Sequence, residues 1–130
     1  MGKSAEPDLE LLLQAIQRMR QQAHWPAGSA DHRLEKRKLR GHLPATATIA
    51  DYEQIMQAVL QDASAQVFRY WYNQSAYVTV VTVIESKTWL VMFSYDGVLE
   101  SAFVMDRPER YLNKPGFEWI GRLGEVENEL

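Results

Sequence analysis

The 130-residue sequence contains no cysteine, and none of its apolar runs approaches the length of about 18 residues that a membrane-spanning helix needs. The absence of cysteine excludes disulfide bonds, thiolate zinc sites and a cysteine nucleophile. Residues 1–10 also lack the basic start, the apolar stretch and the cleavage site of a signal peptide. We therefore expect a soluble, cytoplasmic protein that does not enter a membrane.

Motifs for cofactor chemistry are absent as well. The sequence has no glycine-rich phosphate loop, no nucleophile elbow and no motif of paired carboxylates. His24 and His32 stand alone, without carboxylates at a spacing that suits a metal ion. The sequence accordingly predicts neither a cofactor nor a metal site.

Charge is distributed unevenly along the chain, whose net charge is −3. The last residues carry Glu125, Glu127 and Glu129 without a basic neighbour. Between positions 32 and 42, by contrast, one acidic residue, Glu35, stands among five basic ones: Arg33, Lys36, Arg37, Lys38 and Arg40. A local concentration of positive charge of this kind suits nucleic acid even when the whole molecule is acidic.

Two helices are predicted in the first half of the chain. Apolar residues at helical spacing follow Pro7, which is well tolerated in a first helical turn. A second apolar stripe predicts a helix over residues 49–61, which Thr48 and Asp51 would cap. Residues 31–40 contain few apolar positions, so that a short basic helix and an irregular segment lining a groove are both open there.

The domain organisation follows from length and from one break in the pattern. The length and the ordinary hydrophobic content of 46% favour a single domain over residues 1–130. Pro26 and Gly28 interrupt the helical pattern at 24–29, which predicts a linker. Residues 1–23 would then form an appended helical arm, or else cover part of the second face of the sheet, which the helix over residues 49–61 leaves open. The core would span 29–124, and 125–130 would form an acidic tail.

Segments rich in β-branched and aromatic residues fill the second half of the chain. Their short breaks predict antiparallel neighbours, and Asp96-Gly97 is a strong turn signal. The predicted fold class is α+β, with N-terminal helices packed on a four- to five-stranded, mainly antiparallel sheet. The strands are expected at 67–72, 77–84, 89–93, 98–104 and 117–123.

His42 ends the basic run Lys36-Arg37-Lys38-Leu39-Arg40-Gly41-His42. Cutting RNA without a metal requires a group that takes the 2′-hydroxyl proton, a donor to the leaving oxygen, and fixed positive charge for the phosphate. Histidine and arginine suit these tasks. The alternative is a solvated basic loop whose histidine packs or caps locally.

A later hairpin, from Trp89 to Phe103, carries in its second strand a serine and, two residues on, an aromatic residue. With the basic run and the capped helix, this order resembles the barnase/EndoU/colicin/RelE nuclease superfamily, and within it the colicin D-type nucleases. The resemblance spans residues 36–105. It implies that His42 is the acid–base residue and that Ser101 and Phe103 position the substrate. Cations of the basic run would bind phosphate: Lys38 and Arg40, with Lys36 and Arg37 as further contacts.

The resemblance implies a small, metal-independent endoribonuclease of toxin type, whose substrate is RNA and, by likeness to colicin D, tRNA. It also implies an inhibitory or antitoxin protein as a partner. The predicted strand 67–72 is rich in aromatic residues, and on it Arg69 and Trp71 share a face. They form a candidate platform for a stacked base. The alternative is that the aromatic residues of this strand belong to the core. Glu100 alternates with Ser101 and is expected on the other face of the sheet.

Two other functions fit the same sequence. A non-catalytic module would bind a protein partner through the first helix or through an exposed strand edge. An immunity or antitoxin-type protein on a nuclease-like scaffold would present its acidic surface to a basic toxin. Only the nuclease hypothesis requires a positive cleft around His42.

Overall fold

The computed structural model describes residues 7–128 and has the predicted α+β architecture, which is thereby confirmed. Three helices come first: α1 (Pro7–Gln21), α2 (Ala30–Leu39) and α3 (Ile49–Leu60). Five strands follow: β1 (Gln66–Tyr72), β2 (Ser75–Ile84), β3 (Lys87–Ser94), β4 (Leu99–Val104) and β5 (Phe117–Arg122). Two short helices complete the order: α4 (Pro108–Leu112), between β4 and β5, and α5 (Leu123–Asn128), after β5.

The capped helix is confirmed as predicted. The Asp51 amide donates to the Thr48 hydroxyl over 3.1 Å, and the Thr48 amide donates to the Asp51 carboxylate over 2.9 Å. This reciprocal pairing satisfies two N–H groups that a helix start leaves open. The basic segment is helical as well, and Leu34 anchors α2 in the core.

All neighbouring strands of the sheet run antiparallel, in the order β4-β3-β2-β1-β5. Two-residue turns join β1 to β2 and β2 to β3, and both residues of each turn have positive φ, as the right-handed twist of a hairpin requires. The chain then crosses from β4 at one edge to β5 at the other. The connection that crosses over contains α4.

One face of the sheet is covered by α1 and α3 together. The largest buried cluster joins Leu12, Ile16 and Met19 of α1 to the helix-facing residues of the strands, and all three are fully buried. The prediction that residues 1–23 form an appended arm is therefore wrong for the part that the structure describes. The alternative that the first helix covers the second face is also wrong, because α1 lies beside α3.

The break at 24–29 is a packed crossing and not a linker. The Leu99 amide donates to the His24 carbonyl over 2.8 Å, and Trp25 Nε1 donates to the Glu53 carboxylate over 2.7 Å. The chain thus passes along the β4 edge of the sheet before α2 begins. The second face of the sheet carries a smaller cluster built around Val81, Leu90 and Met92.

The predicted acidic tail is a packed helix as far as the structure describes it. Val126 of α5 is buried, and Glu127 forms an ion pair of 2.8 Å with Arg20 of α1. Glu129 lies outside the described residues. No helix within residues 7–128 combines the length and the apolar content needed to cross a membrane.

Candidate functional site

Strand β4 lies at an edge of the sheet, so that its outward backbone groups need partners other than a strand. Side chains of the helical segment supply them. The Arg33 guanidinium and the Tyr52 hydroxyl donate to the carbonyls of residues 100 and 102, and the ring of His42 accepts the amide N–H of Val104. The basic segment is therefore fixed against the strand that carries Ser101 and Phe103.

The end of α2 fixes the position of His42. Gly41 has φ +74°, a left-handed conformation that glycine adopts at low cost. The His42 amide donates to the Arg37 carbonyl over 2.9 Å, and the Gly41 amide donates to the Lys38 carbonyl over 3.0 Å. These two bonds form a Schellman motif, which ends the helix and directs the next residue back toward the sheet.

The ring of His42 has one nitrogen fully engaged. Its Nδ1 lies 3.2 Å from the Val104 amide and 3.2 Å from Arg37 Nη1, both of which are donors only. Nδ1 therefore carries no proton, and in the neutral ring the proton is on Nε2. Burial lowers the pKa of His42, and the neighbouring charge of Arg37 lowers it further. The expected acid–base role requires a free nitrogen lone pair, whereas this pairing leaves the ring an N–H donor at Nε2.

Arg37 is the most deeply buried cation of the basic segment, with 8% of its surface exposed. Its guanidinium carbon lies 5.7 Å from the centre of the Phe103 ring, and burial lowers its pKa. Within residues 7–128, no carboxylate forms an ion pair with it. Buried cations are ordinarily paired, so that this one is suited to an anion from outside the chain.

Two neighbouring cavities lie along β4, and together they are called the edge cleft here. The α2 cavity, of about 280 Å³, is lined by cations of α2 and by the residues of the predicted serine–aromatic pair: Arg33, Lys36, Arg37, Ser101 and Phe103. Glu100 lines it too, because the cavity lies along the edge of the sheet and four consecutive residues of β4, 100–103, border it. The register of β4 shifts at a bulge opposite Met92 and Phe93.

The α4 cavity, of about 580 Å³, lies on the other side of Phe103. His42 and Arg40 line one side of it, and the connection after β4 lines the other. Ser101 and His42 thus lie in adjacent cavities that share the Phe103 side chain. Seven cations and two carboxylates line the edge cleft, although the whole chain is acidic.

Three predicted site residues lie elsewhere. Lys38 is on a different side of α2 from Lys36 and forms an ion pair of 3.2 Å with Glu35. Arg69 is on the helix-covered face, where it pairs with Asp8 of α1 and, over 3.0 Å, with Glu118 of β5. Its charge is thus satisfied within the chain, and neither residue lines the edge cleft.

Trp71 is 49% exposed, but it belongs to β1. Two strands separate β1 from β4, which at about 4.8 Å per strand places this side chain roughly 14 Å from the cleft. The proposed stacking platform of Arg69 and Trp71 is therefore not part of the site.

The connection after β4 contributes further candidate site residues that are not among those predicted from the sequence. Arg107, Arg110, Tyr111 and Lys114 line the α4 cavity. Their signal is present in the sequence, because three cations stand within eight residues at nearly helical spacing.

Among residues 7–128, no group of three or more histidine, aspartate or glutamate side chains is arranged to hold a metal ion.

Comparison with known proteins adds no assignment to this picture. No protein-family model, no curated protein and no solved structure matches the chain. The fold defines a small α+β domain with an antiparallel sheet. Function therefore rests on the chemistry of the edge cleft.

Proposed function

We propose that this protein is a small, metal-independent endoribonuclease that binds RNA in the edge cleft. The observation that carries the proposal is the buried guanidinium of Arg37, which lies between His42 and Phe103 without a carboxylate partner in residues 7–128. An uncompensated buried cation is costly to maintain, and a phosphate group would compensate it with strong, charge-assisted hydrogen bonds.

The remaining charges of the cleft favour a polyanion over a single small anion. The seven cations are spread over two adjoining cavities, so that successive phosphates of one strand can each meet positive charge. Such contacts give sequence-independent affinity that falls as salt rises. The resemblance to colicin D-type nucleases leads to the same substrate class and makes tRNA the first RNA to test.

The chemistry assigned to the site is attack of a 2′-hydroxyl on the adjacent phosphate. The O2′–P bond forms as the P–O5′ bond breaks, which gives a 2′,3′-cyclic phosphate. Water in the open cleft accepts the proton of the 2′-hydroxyl and supplies a proton to the departing 5′-oxygen. Arg37 and Lys36 hold the scissile phosphate and stabilise the negative charge that it gains. His42 donates from Nε2 to a phosphate oxygen. The Ser101 hydroxyl and the Phe103 ring orient the nucleotide, and this positioning supplies part of the rate enhancement.

The test is incubation of total RNA with the purified protein in the presence of a chelator, followed by mapping of new ends. Lys36→Gln and Lys38→Gln form a matched pair, because both remove one charge from α2 but only Lys36 lines the cleft. We expect discrete cuts from wild type and Lys38→Gln, fewer from Lys36→Gln, and none from Arg37→Gln. Equal cutting by the two lysine variants, or absence of cutting by folded wild type, would refute the proposal.

The partner implied by this function is an acidic inhibitor that fills the edge cleft. A second candidate function is a non-catalytic module that binds proteins through β5. That strand is the other edge of the sheet, and its Trp119 is 59% exposed. This function predicts partner binding that is insensitive to salt, is weakened by Trp119→Ala, and occurs without RNA cleavage.

A further inference from the structure

The α4 cavity contains chemistry that the proposed cleavage reaction does not use. Its floor is apolar and aromatic: Phe103 and Tyr111 meet edge to face, with ring centres 5.6 Å apart, and Met105 beside them is buried. The ring of Tyr111 in turn packs beside the ring of Phe117 of β5, with 5.7 Å between the ring centres. The floor is thus in contact with aromatic residues of both edge strands.

The rim of the same cavity is cationic. Arg40 comes from the end of α2, and Arg107, Arg110 and Lys114 come from the connection after β4. Lys114 Nζ lies 4.2 Å from the centre of the Tyr111 ring. Asp106 is the one carboxylate of the lining, and none of the four cations is in an ion pair within residues 7–128.

An apolar floor below a cationic rim fits a ligand that has a flat, weakly polar part and an adjoining anionic part. A nucleotide has this division between base and phosphate, whereas a free phosphate ion would leave the floor unused. The volume of about 580 Å³ is within the range of about 300–1,000 Å³ that is typical of small-ligand sites.

We propose that the α4 cavity is a nucleotide subsite beside the cleavage position, which binds one base on the Phe103–Tyr111 floor and its phosphate at Arg110 and Lys114. This inference rests on the proposed function, and the two are continuous because Phe103 lines both cavities. The substrate must then extend at least one nucleotide, with its phosphate, beyond the scissile bond. A dinucleotide with a single phosphate is expected to be a poor substrate.

The test measures binding, so that it does not depend on cleavage. A labelled 2′-O-methyl RNA hexamer, which lacks the attacking hydroxyl, is titrated by fluorescence anisotropy at several salt concentrations. The site variant is Arg110→Gln/Lys114→Gln. The matched control is Lys38→Gln/Arg122→Gln, which removes the same charge from residues outside the two cavities. Hexamers with one abasic position, moved along the strand, report on the base.

The site variant is expected to bind the hexamer about tenfold more weakly than the control. The slope of its log–log salt dependence is expected to fall by about 0.7, the value for one lost phosphate contact on a single strand. One abasic position is expected to weaken binding to wild type by about fivefold or more, as loss of an aromatic–base contact does. The same abasic position should matter much less in the site variant.

Three results would overturn the inference. Equal binding by site variant and control would remove the subsite while leaving the cleavage proposal intact. A weakened site variant with no sensitive abasic position would show a cationic rim alone, without a site for the base. Failure of folded wild type to bind any hexamer would refute RNA binding altogether, and the subsite with it.

Discussion

His42 is expected to stabilise the fold as well as to serve the site, and two substitutions separate these roles. In His42→Ala, the Val104 amide loses its acceptor and the ring contact with Trp89, at 6.2 Å between ring centres, disappears. In His42→Asn, the side-chain oxygen occupies nearly the position of Nδ1 and still accepts the amide. The asparagine variant therefore keeps the edge-strand bond but lacks the Nε2 donor.

The loss in the free energy of unfolding can be worked out from these contacts. An N–H group left without an acceptor costs about 1–3 kcal/mol. The lower half of that range applies here because the cavity beside His42 is open to water. Loss of an edge-to-face ring contact adds about 0.5–1.5 kcal/mol. We expect the free energy of unfolding to fall by about 2–3 kcal/mol in His42→Ala and by about 1 kcal/mol in His42→Asn.

The assay is urea denaturation followed by far-UV circular dichroism. For an m-value of about 1.5 kcal/mol/M, the two variants should differ by about 1 M in midpoint. Unchanged m-values would show that the comparison concerns the native state. Equal midpoints for alanine and asparagine would refute the assignment of Nδ1 as the acceptor for β4.

Three further predictions use the same denaturation assay. Burial lowers the pKa of His42 in the folded protein, so that the stability contributed by this residue is fully present above pH 6.5 and is lost as pH falls through the folded pKa. His42→Asn should flatten that part of the profile of stability against pH. An unchanged profile would contradict the pairing of His42 with Arg37 and the Val104 amide. Ser86→Gly should add about 1 kcal/mol, because Ser86 has φ +72° in its hairpin turn; a loss of stability would contradict the turn geometry. Ile16→Ala should cost about 2–5 kcal/mol, whereas a cost below about 0.5 kcal/mol would indicate that α1 is an arm after all.

Elements set by local sequence were predictable, and the packing of α1 was not. The capping pair and apolar stripe of α3 are both local signals, and they led to the correct helix. The break at Pro26 and Gly28 predicts a linker, because nothing nearby in sequence shows where α1 packs. The contact that fixes α1 to α5, Arg20 with Glu127, joins residues that are 107 positions apart.

The residues of the candidate site likewise include some that the sequence predicts and some that depend on packing. The run ending in His42 and the pair Ser101 and Phe103 were recognisable as motifs, and the structure brings them to the same strand edge. Lys36 and Lys38 could not be distinguished by sequence, because the choice depends on which side of α2 faces β4. The prediction for Arg69 is wrong because its carboxylate partner, Asp8, belongs to α1, the helix that the sequence predicts as a separate arm.

The α4 cavity was hidden for a topological reason. Three of its four cations belong to the connection that joins the two edge strands, β4 and β5, and such a connection has to cross a face of the sheet. The order of the strands, which the sequence does not reveal, decides that this connection passes beside Phe103.

The double role of His42 determines how loss of activity should be interpreted. Alanine at this position removes the Nε2 donor and also frees the β4 amide, so that the strand carrying Ser101 and Phe103 is expected to shift as well. An inactive alanine variant is therefore compatible with either a chemical or a positioning contribution. Asparagine keeps the strand in place, and with Nδ1 committed to accepting hydrogen bonds, any activity that it loses has to come from the Nε2 side of the ring. The ratio of activity lost by asparagine to that lost by alanine thus measures the chemical share of His42 directly.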